Sequence, residues 1–222
     1  MMYLWIVGNG IHAGVLWEYL SSDVLLMKDH QICGFIADEE YIQDEQFKGL
    51  PVKTFEGFGE NERKDVLLLL GIGYSHMADF REKLYHRCKK NGFAFLNYIH
   101  PTAVIHPSVR MGEGNVILEN VIIEAGCEIG SGNMFYGGSV LGHDTFMGDY
   151  NTMSIGAVTA GCVKINNHCF LGVRAVIRDH VTLSNYALVG AAAYAYKDVP
   201  AYHVVYSPRC EMSGEKKSVD LI

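Results

Sequence analysis

From Ile123 to Ala195, every sixth residue falls into one column: Ile123, Ile129, Phe135, Leu141, Met147, Met153, Thr159, Ile165, Leu171, Ile177, Leu183, Val189 and Ala195. Only Thr159 is not apolar. A period of six matches neither the 3.6 of a helix nor the 2 of a plain strand, so the backbone must coil and bring each sixth residue back to one interior. The architecture this implies is a parallel β-helix.

The repeat also assigns directions to side chains. Glycine follows the inward residue at Gly130, Gly142, Gly148, Gly172 and Gly190, which suits a corner with unusual backbone angles and close backbone approach. Four residues after the inward residue runs a second, compact column that includes Asn133, Ser139, Thr145, Asn151, Ala157, Cys169 and Ala175. Upstream the rhythm continues through Ile105, Met111 and Ile117, with one extra residue expected near Glu119-Asn120 to shift the phase, and the coil is expected to start near His100-Pro101.

The repeat occupies the second half of a 222-residue chain, which leaves room for a second domain. The expected division is 1–98, 99–208 and a tail at 209–222. The six cysteines form no CxxC pair, which reads as packed, reduced thiols in a cytoplasmic protein. The run Val66-Leu70 is too short to cross a bilayer, and no basic leader precedes the first apolar strand, so no membrane insertion is expected. A net charge of −7 argues against general nucleic-acid binding.

The front segment reads as α/β. Tyr3-Val7, Ile32-Ile36, Val66-Leu70 and Phe93-Leu96 are candidate strands, and Val15-Leu20 is a helix that follows the turn Gly8-Asn9-Gly10-Ile11-His12-Ala13-Gly14. Met77, Phe80, Leu84 and Cys88 recur at helical spacing between Ser75 and Gly92. Alternating strands and helices imply a small parallel, Rossmann-like sheet. Ligands bind such sheets beyond the carboxyl ends of the strands, where Gly8, Gly10, Asp38 and Gly71 to Gly73 fall. A GxG after a strand is equally a plain tight turn, and Asp38-Glu39-Glu40 is equally a solvated one.

This order of a G-x-G-x-His loop, a Gly-Phe-Ile-x-Asp strand end, an Ile-Gly loop and a hexapeptide coil resembles the sugar acyltransferases of the PglD and NeuD type, over nearly the whole chain to Pro200. The resemblance implies a left-handed parallel β-helix with 18 residues per coil, a homotrimer with active sites at subunit interfaces, and acetyl-CoA as acyl donor. It implies Gly8, Gly10, His12, Asp38 and Gly73 as contacts to a nucleotide-linked sugar. Ile11 stands where the family has a second glycine. Tyr206-Ser207-Pro208-Arg209 replaces the family's usual ending.

Acyl transfer from a thioester to an amine or hydroxyl needs a base. With Leu141 inward and Gly142 at the corner, His143 and Asp144 project from a vertex, where the carboxylate can orient the imidazole. The resemblance makes His143 the general base. Stepping 18 residues at a time along that vertex gives Gly161, Asp179 and Lys197, an edge along which coenzyme A is expected to run, its phosphates towards Lys197 or Arg174, Arg178 and Arg209. The resemblance adds Gly161, Val173 and Ala191 as coenzyme contacts. It also puts Thr152 where the family often has a second histidine, and Thr152 is expected to be accessible, with its hydroxyl in place of that imidazole. His168 and His180 read as solvated surface.

The function these features imply is acetyl-CoA-dependent acetylation of a sugar for surface glycan biosynthesis, at the amino group of a UDP- or dTDP-linked amino-dideoxy sugar. O-acetylation of a sialic-acid-like or other glycan sugar is the alternative on the same chemistry. No metal is expected: a γ-carbonic-anhydrase-like zinc site needs three converging histidines, and the spacings of His143, His168 and His180 are not multiples of 18. A catalytically idle trimeric nucleotide-sugar-binding module is the alternative of another class.

Overall fold

The computed structural model describes residues 2–59 and 62–208. The front domain is a sheet of six strands, β1 (Met2–Val7), β2 (His30–Ile36), β3 (Gln46–Phe47), β4 (Leu50–Lys53), β5 (Val66–Leu70) and β6 (Ala94–Phe95), in the order β3-β4-β2-β1-β5-β6. All neighbours pair in parallel except β3 and β4. That edge hairpin was not legible as strands, because β3 has only two residues and β4 carries Pro51. Its loop is Lys48-Gly49, both at positive φ, the conformation a two-residue hairpin turn requires. Helix α1 (Ile11–Ser22) buries Ala13, Gly14, Leu16 and Leu20. Helix α2 (Asp79–Lys90) buries Arg81, Tyr85 and Cys88, so Phe80 falls on its exposed side.

The remainder is the β-helix. Two-residue strands stack into three parallel sheets that form the faces of a triangular coil. The first face runs from Tyr98–Ile99 to Val204–Val205 in seven strands, the second from Val104–Ile105 to Tyr194–Ala195 in six, and the third from Arg110–Met111 to Thr182–Leu183 in five. The coil thus begins slightly before His100-Pro101. Ile122 pairs with Val104 and Ile123 with Ile105, a step of 18, so the extra residue expected at Glu119-Asn120 does not exist.

One further detail of the repeat is corrected. The left-handed corner residue comes three places after the inward aliphatic, at Asn120, Asp144, Tyr150, Cys162, His168, Arg174, His180, Tyr186 and Ala192. Gly142 and Gly148 serve the close approach expected of them, without the left-handed angles: a Cβ on Gly142 would meet the carbonyl carbon of Ala160 at 2.5 Å and the oxygen of Thr159 at 2.8 Å. The inward columns pack as expected, with Leu141, Met147, Met153, Ile165 and Leu171 fully buried. Asn115, Asn133 and Asn151 form an internal ladder in which each Oδ1 accepts from the backbone N–H one coil on, at 2.9, 2.8 and 2.7 Å.

The front domain sits on the first face. Val116 and Met134 of that face share an apolar cluster with Leu4, Ile6 and Leu16. The vertex between the second and third faces therefore points away from the front domain.

Candidate functional site

The turn after β1, the end of β2 and the loop after β5 meet in a cavity of about 550 Å³. Gly8, Gly10, His12, Asp38 and Gly73 all line it, together with Phe55, Phe80, Lys83 and Arg87. Gly8 has φ +105, and a side chain there would strike Ile72. Asn9 Nδ2 donates to the Tyr41 carbonyl at 2.7 Å and ties down the loop. Asp38 is an ion-pair partner of Arg87, whose other arm reaches Glu56 at 3.0 Å and whose guanidinium lies 4.4 Å from the Phe55 ring centre. The His12 imidazole packs against Gly73 and lies 3.4 Å from the Tyr136 hydroxyl. Burial, and then the nearby Arg81 charge, hold its pKa below the usual histidine value.

The second site is the vertex between the second and third faces. His143 and Asp144 are both exposed there, and His143 Nδ1 lies 2.9 Å from Asp144 Oδ2. The backbone under them is pinned: the His143 amide donates to Glu124 Oε2 at 2.8 Å and the Asp144 amide to the Ala125 carbonyl at 2.9 Å. The hydrogen bond to Asp144 raises the His143 pKa above the usual imidazole value. The imidazole lies over Gly161 one coil on, where a Cβ would come within 2.7 Å of its Cδ2 and closer still to Nε2. The missing side chain is what lets the ring lie down.

Further along this vertex, Arg178, Asp179, His180, Tyr196 and Lys197 line a shallow groove of about 510 Å³. Asp179 is flanked by Arg178 at 3.4 Å and His180 at 3.9 Å, and Lys197 Nζ lies 5.6 Å from the Tyr196 ring centre. His180 is exposed as expected, but it does share this vertex, in the column of Asp144 and Cys162. Val173 and Ala191, both exposed, belong with Arg174 to a different vertex, between the first and second faces. Within one chain the structure does not bring them to Gly161. Arg209 lies outside the described residues.

Two expectations fail. Thr152 is not accessible: it points outward from the first face but is only 1 % exposed, because α2 covers it and Arg81 Nη2 donates to its Oγ1 at 3.1 Å. The same nitrogen donates to the carbonyls of Tyr150 and Asn151 at 2.8 and 3.0 Å. His168 is not solvated either, being 5 % exposed. Its Nδ1 lies 2.8 Å from the Met77 carbonyl and its Nε2 3.3 Å from Glu82, and its ring stacks on Tyr186 at 4.6 Å. Both belong to the seam between the domains.

No family model and no curated protein matches the chain. Solved structures do. PerB from Caulobacter crescentus, in complex with CoA and GDP-perosamine, is 28% identical, with 92% of this chain and 93% of that one covered and a TM-score of 0.77. A mutant of perosamine N-acetyltransferase from the same organism, with the same two ligands, is 26% identical over 94% of this chain and 98% of that one, at a TM-score of 0.80. The chain has the architecture of these sugar acetyltransferases along nearly its whole length. The acetyltransferase domain of PglB from Neisseria gonorrhoeae has the same fold, with 20% identity, 92% and 96% coverage and a TM-score of 0.79.

Proposed function

We propose that the protein is an acetyl-CoA-dependent acyltransferase that acetylates the amino group of a nucleotide-linked sugar, with His143 as the general base. The observation that carries this is the exposed imidazole held by Asp144 and laid over a glycine, in a chain that also has an open cavity at the carboxyl ends of a Rossmann-like sheet. With Nδ1–H given to the carboxylate, Nε2 keeps the lone pair that accepts a proton from an attacking amine. Asp144 then stabilises the imidazolium so formed. Acetyl-CoA supplies the acyl group as a thioester. Arg178 and Lys197, in the groove on the same vertex, fit its phosphates in charge. The preference for an amino sugar rests on the perosamine complexes of the two Caulobacter structures.

We further infer a homotrimer. The outward column of the second face is Val104, Ile122, Val140, Val158, Val176 and Tyr194, and Val104, Ile122, Val176 and Tyr194 are 62, 40, 43 and 53 % exposed. An apolar β face of this length calls for cover by another copy. The two vertices that carry the coenzyme candidates border this face, so copies packed through it can bring Gly161 to Val173 and Ala191. Among the described residues no helix is long and apolar enough to cross a membrane. A cytoplasmic step in surface glycan synthesis suits a nucleotide-linked substrate.

The test is product formation by mass spectrometry, with acetyl-CoA and a panel of nucleotide-linked amino sugars. At least one is expected to gain an acetyl group, and His143→Ala is expected to lose the reaction by a factor of about 10² to 10⁴. Full activity in His143→Ala would remove the base. Binding without turnover across the panel would favour the idle module.

A further inference from the structure

We propose that His143, Asp144 and Cys162 form a binding site for one thiophilic divalent cation of the zinc class, whose occupation silences the imidazole. The silencing, though not the binding, rests on the base assignment above. Cys162 occupies the corner directly above Asp144, one coil on, and both residues hold left-handed backbone, at φ 59 and 54. A hydrogen bond of 2.8 Å from the Cys162 amide to the His143 carbonyl locks the two coils together. One nitrogen, one oxygen and one sulfur ligand atom from these three residues lie within 4.8 Å of one another.

The donor set suits zinc in kind and in size. Zinc takes thiolate at about 2.3 Å and imidazole or carboxylate at about 2.0 to 2.2 Å in a tetrahedral shell, so its ligand atoms sit about 3.3 to 3.7 Å apart. The imidazole and carboxylate are already 2.9 Å apart, and the Cys162 sulfur lies within 4.8 Å of a ligand atom of each. Three protein ligands leave a fourth position for water. Asp144 and Glu124, which also bonds the His143 amide, make the surroundings anionic and favour a cation.

The cysteine must lose its proton to solvent when the metal binds. Cys88, Cys127 and Cys169 are closed to solvent, whereas Cys162 is half-buried at the vertex, beside His143 and Asp144. A coordinated imidazole has no lone pair left for a substrate proton, so metal and catalysis compete for one side chain.

Cobalt reports the site without reference to activity. Added to the full-length protein, Co²⁺ should bind once per chain with a sulfur-to-cobalt charge-transfer absorption, and Zn²⁺ should displace it. Cys162→Ser should abolish that band and weaken zinc binding by at least about 10-fold, keep its acetyl transfer, and resist zinc concentrations that stop the wild type. Acetylated product is read by mass spectrometry, because free coenzyme A thiol also binds zinc. Absence of the band, or a band unchanged in Cys162→Ser, overturns the site. Zinc that binds through Cys162 yet leaves turnover unaffected overturns the silencing. A band lost in Cys162→Ser, together with an active His143→Ala, keeps the site and removes the base; an inactive His143→Ala with no band does the reverse.

Discussion

Gly161→Ala separates the chemistry of the vertex from its stability. The added methyl would stand within 2.7 Å of the His143 ring, where apolar atoms pack at about 3.5 Å, so the imidazole must retreat by about 1 Å. The ring can do so because its side chain is 57 % exposed, but only by stretching the 2.9 Å bond to Asp144. A catalytic group displaced by about 1 Å costs roughly 10²-fold, or about 2.7 kcal/mol of transition-state stabilisation. Stability should move the other way. Gly161 is not in the left-handed region, and alanine at a compatible position gains about 0.4 to 1 kcal/mol by restricting the unfolded chain. The expected result is kcat/KM reduced roughly 100-fold with an equal or higher Tm. In a His143→Ala background the same change should cost nothing more, since there is no ring left to displace. Wild-type kcat/KM in Gly161→Ala, or a loss that adds fully to that of His143→Ala, would refute the reasoning.

Two further outcomes follow from charges. A base works in its neutral form, so kcat/KM should fall as pH drops through the raised His143 pKa; Asp144→Asn removes the main cause of the raising, and the acid limb of the profile should move to lower pH. Arg81 is fully buried, and burial lowers its pKa to about 10, a cost to the charged form of about 3 kcal/mol. Its three hydrogen bonds to the Tyr150–Thr152 turn offset that by a similar amount, so Arg81→Met should stay within about 1 kcal/mol of wild type in chemical denaturation, while Arg81→Ala, which also leaves a cavity, should lose about 3 kcal/mol.

The coil was legible because its interior repeats. Each inward position sees the same neighbours one coil away, so the period alone specifies Leu141, Met147 and Met153 as core and His143 as outward. The front cavity was legible through strand polarity, since any residue just past the carboxyl end of a parallel strand faces the same crevice. What period and polarity do not carry is the cover over an outward face. Thr152 and His168 point out of the coil as expected, yet α2 lies across them. The signal available was the outward column of the first face, Val116, Met134, Phe170 and Leu188, too apolar to be left in water. The buried Arg81 was hidden for the opposite reason: an arginine in a helix reads as surface, and its partners are backbone carbonyls that no side-chain pattern reveals.

The same geometry bears on the proposed trimer, where it would set which copy of the chain supplies which half of the site. The front domain covers the first face, and His143 stands on the vertex opposite that face, so a sugar held in the cavity of one chain is turned away from that chain's own base. In a trimer the cavity of one chain would then work with His143 of another. Two inactive variants test this when mixed. His143→Ala keeps the cavity and lacks the base; Gly10→Phe keeps the base and fills the cavity, since a Cβ at Gly10 meets nothing within 4 Å and the ring can enter without disturbing the fold. If the two are unfolded together in equal amounts and refolded, a neighbouring pair has an intact cavity followed by an intact base in about one case in four, so roughly a quarter of wild-type activity should return. Sites contained within single chains would return none, because every chain in the mixture carries one of the two lesions.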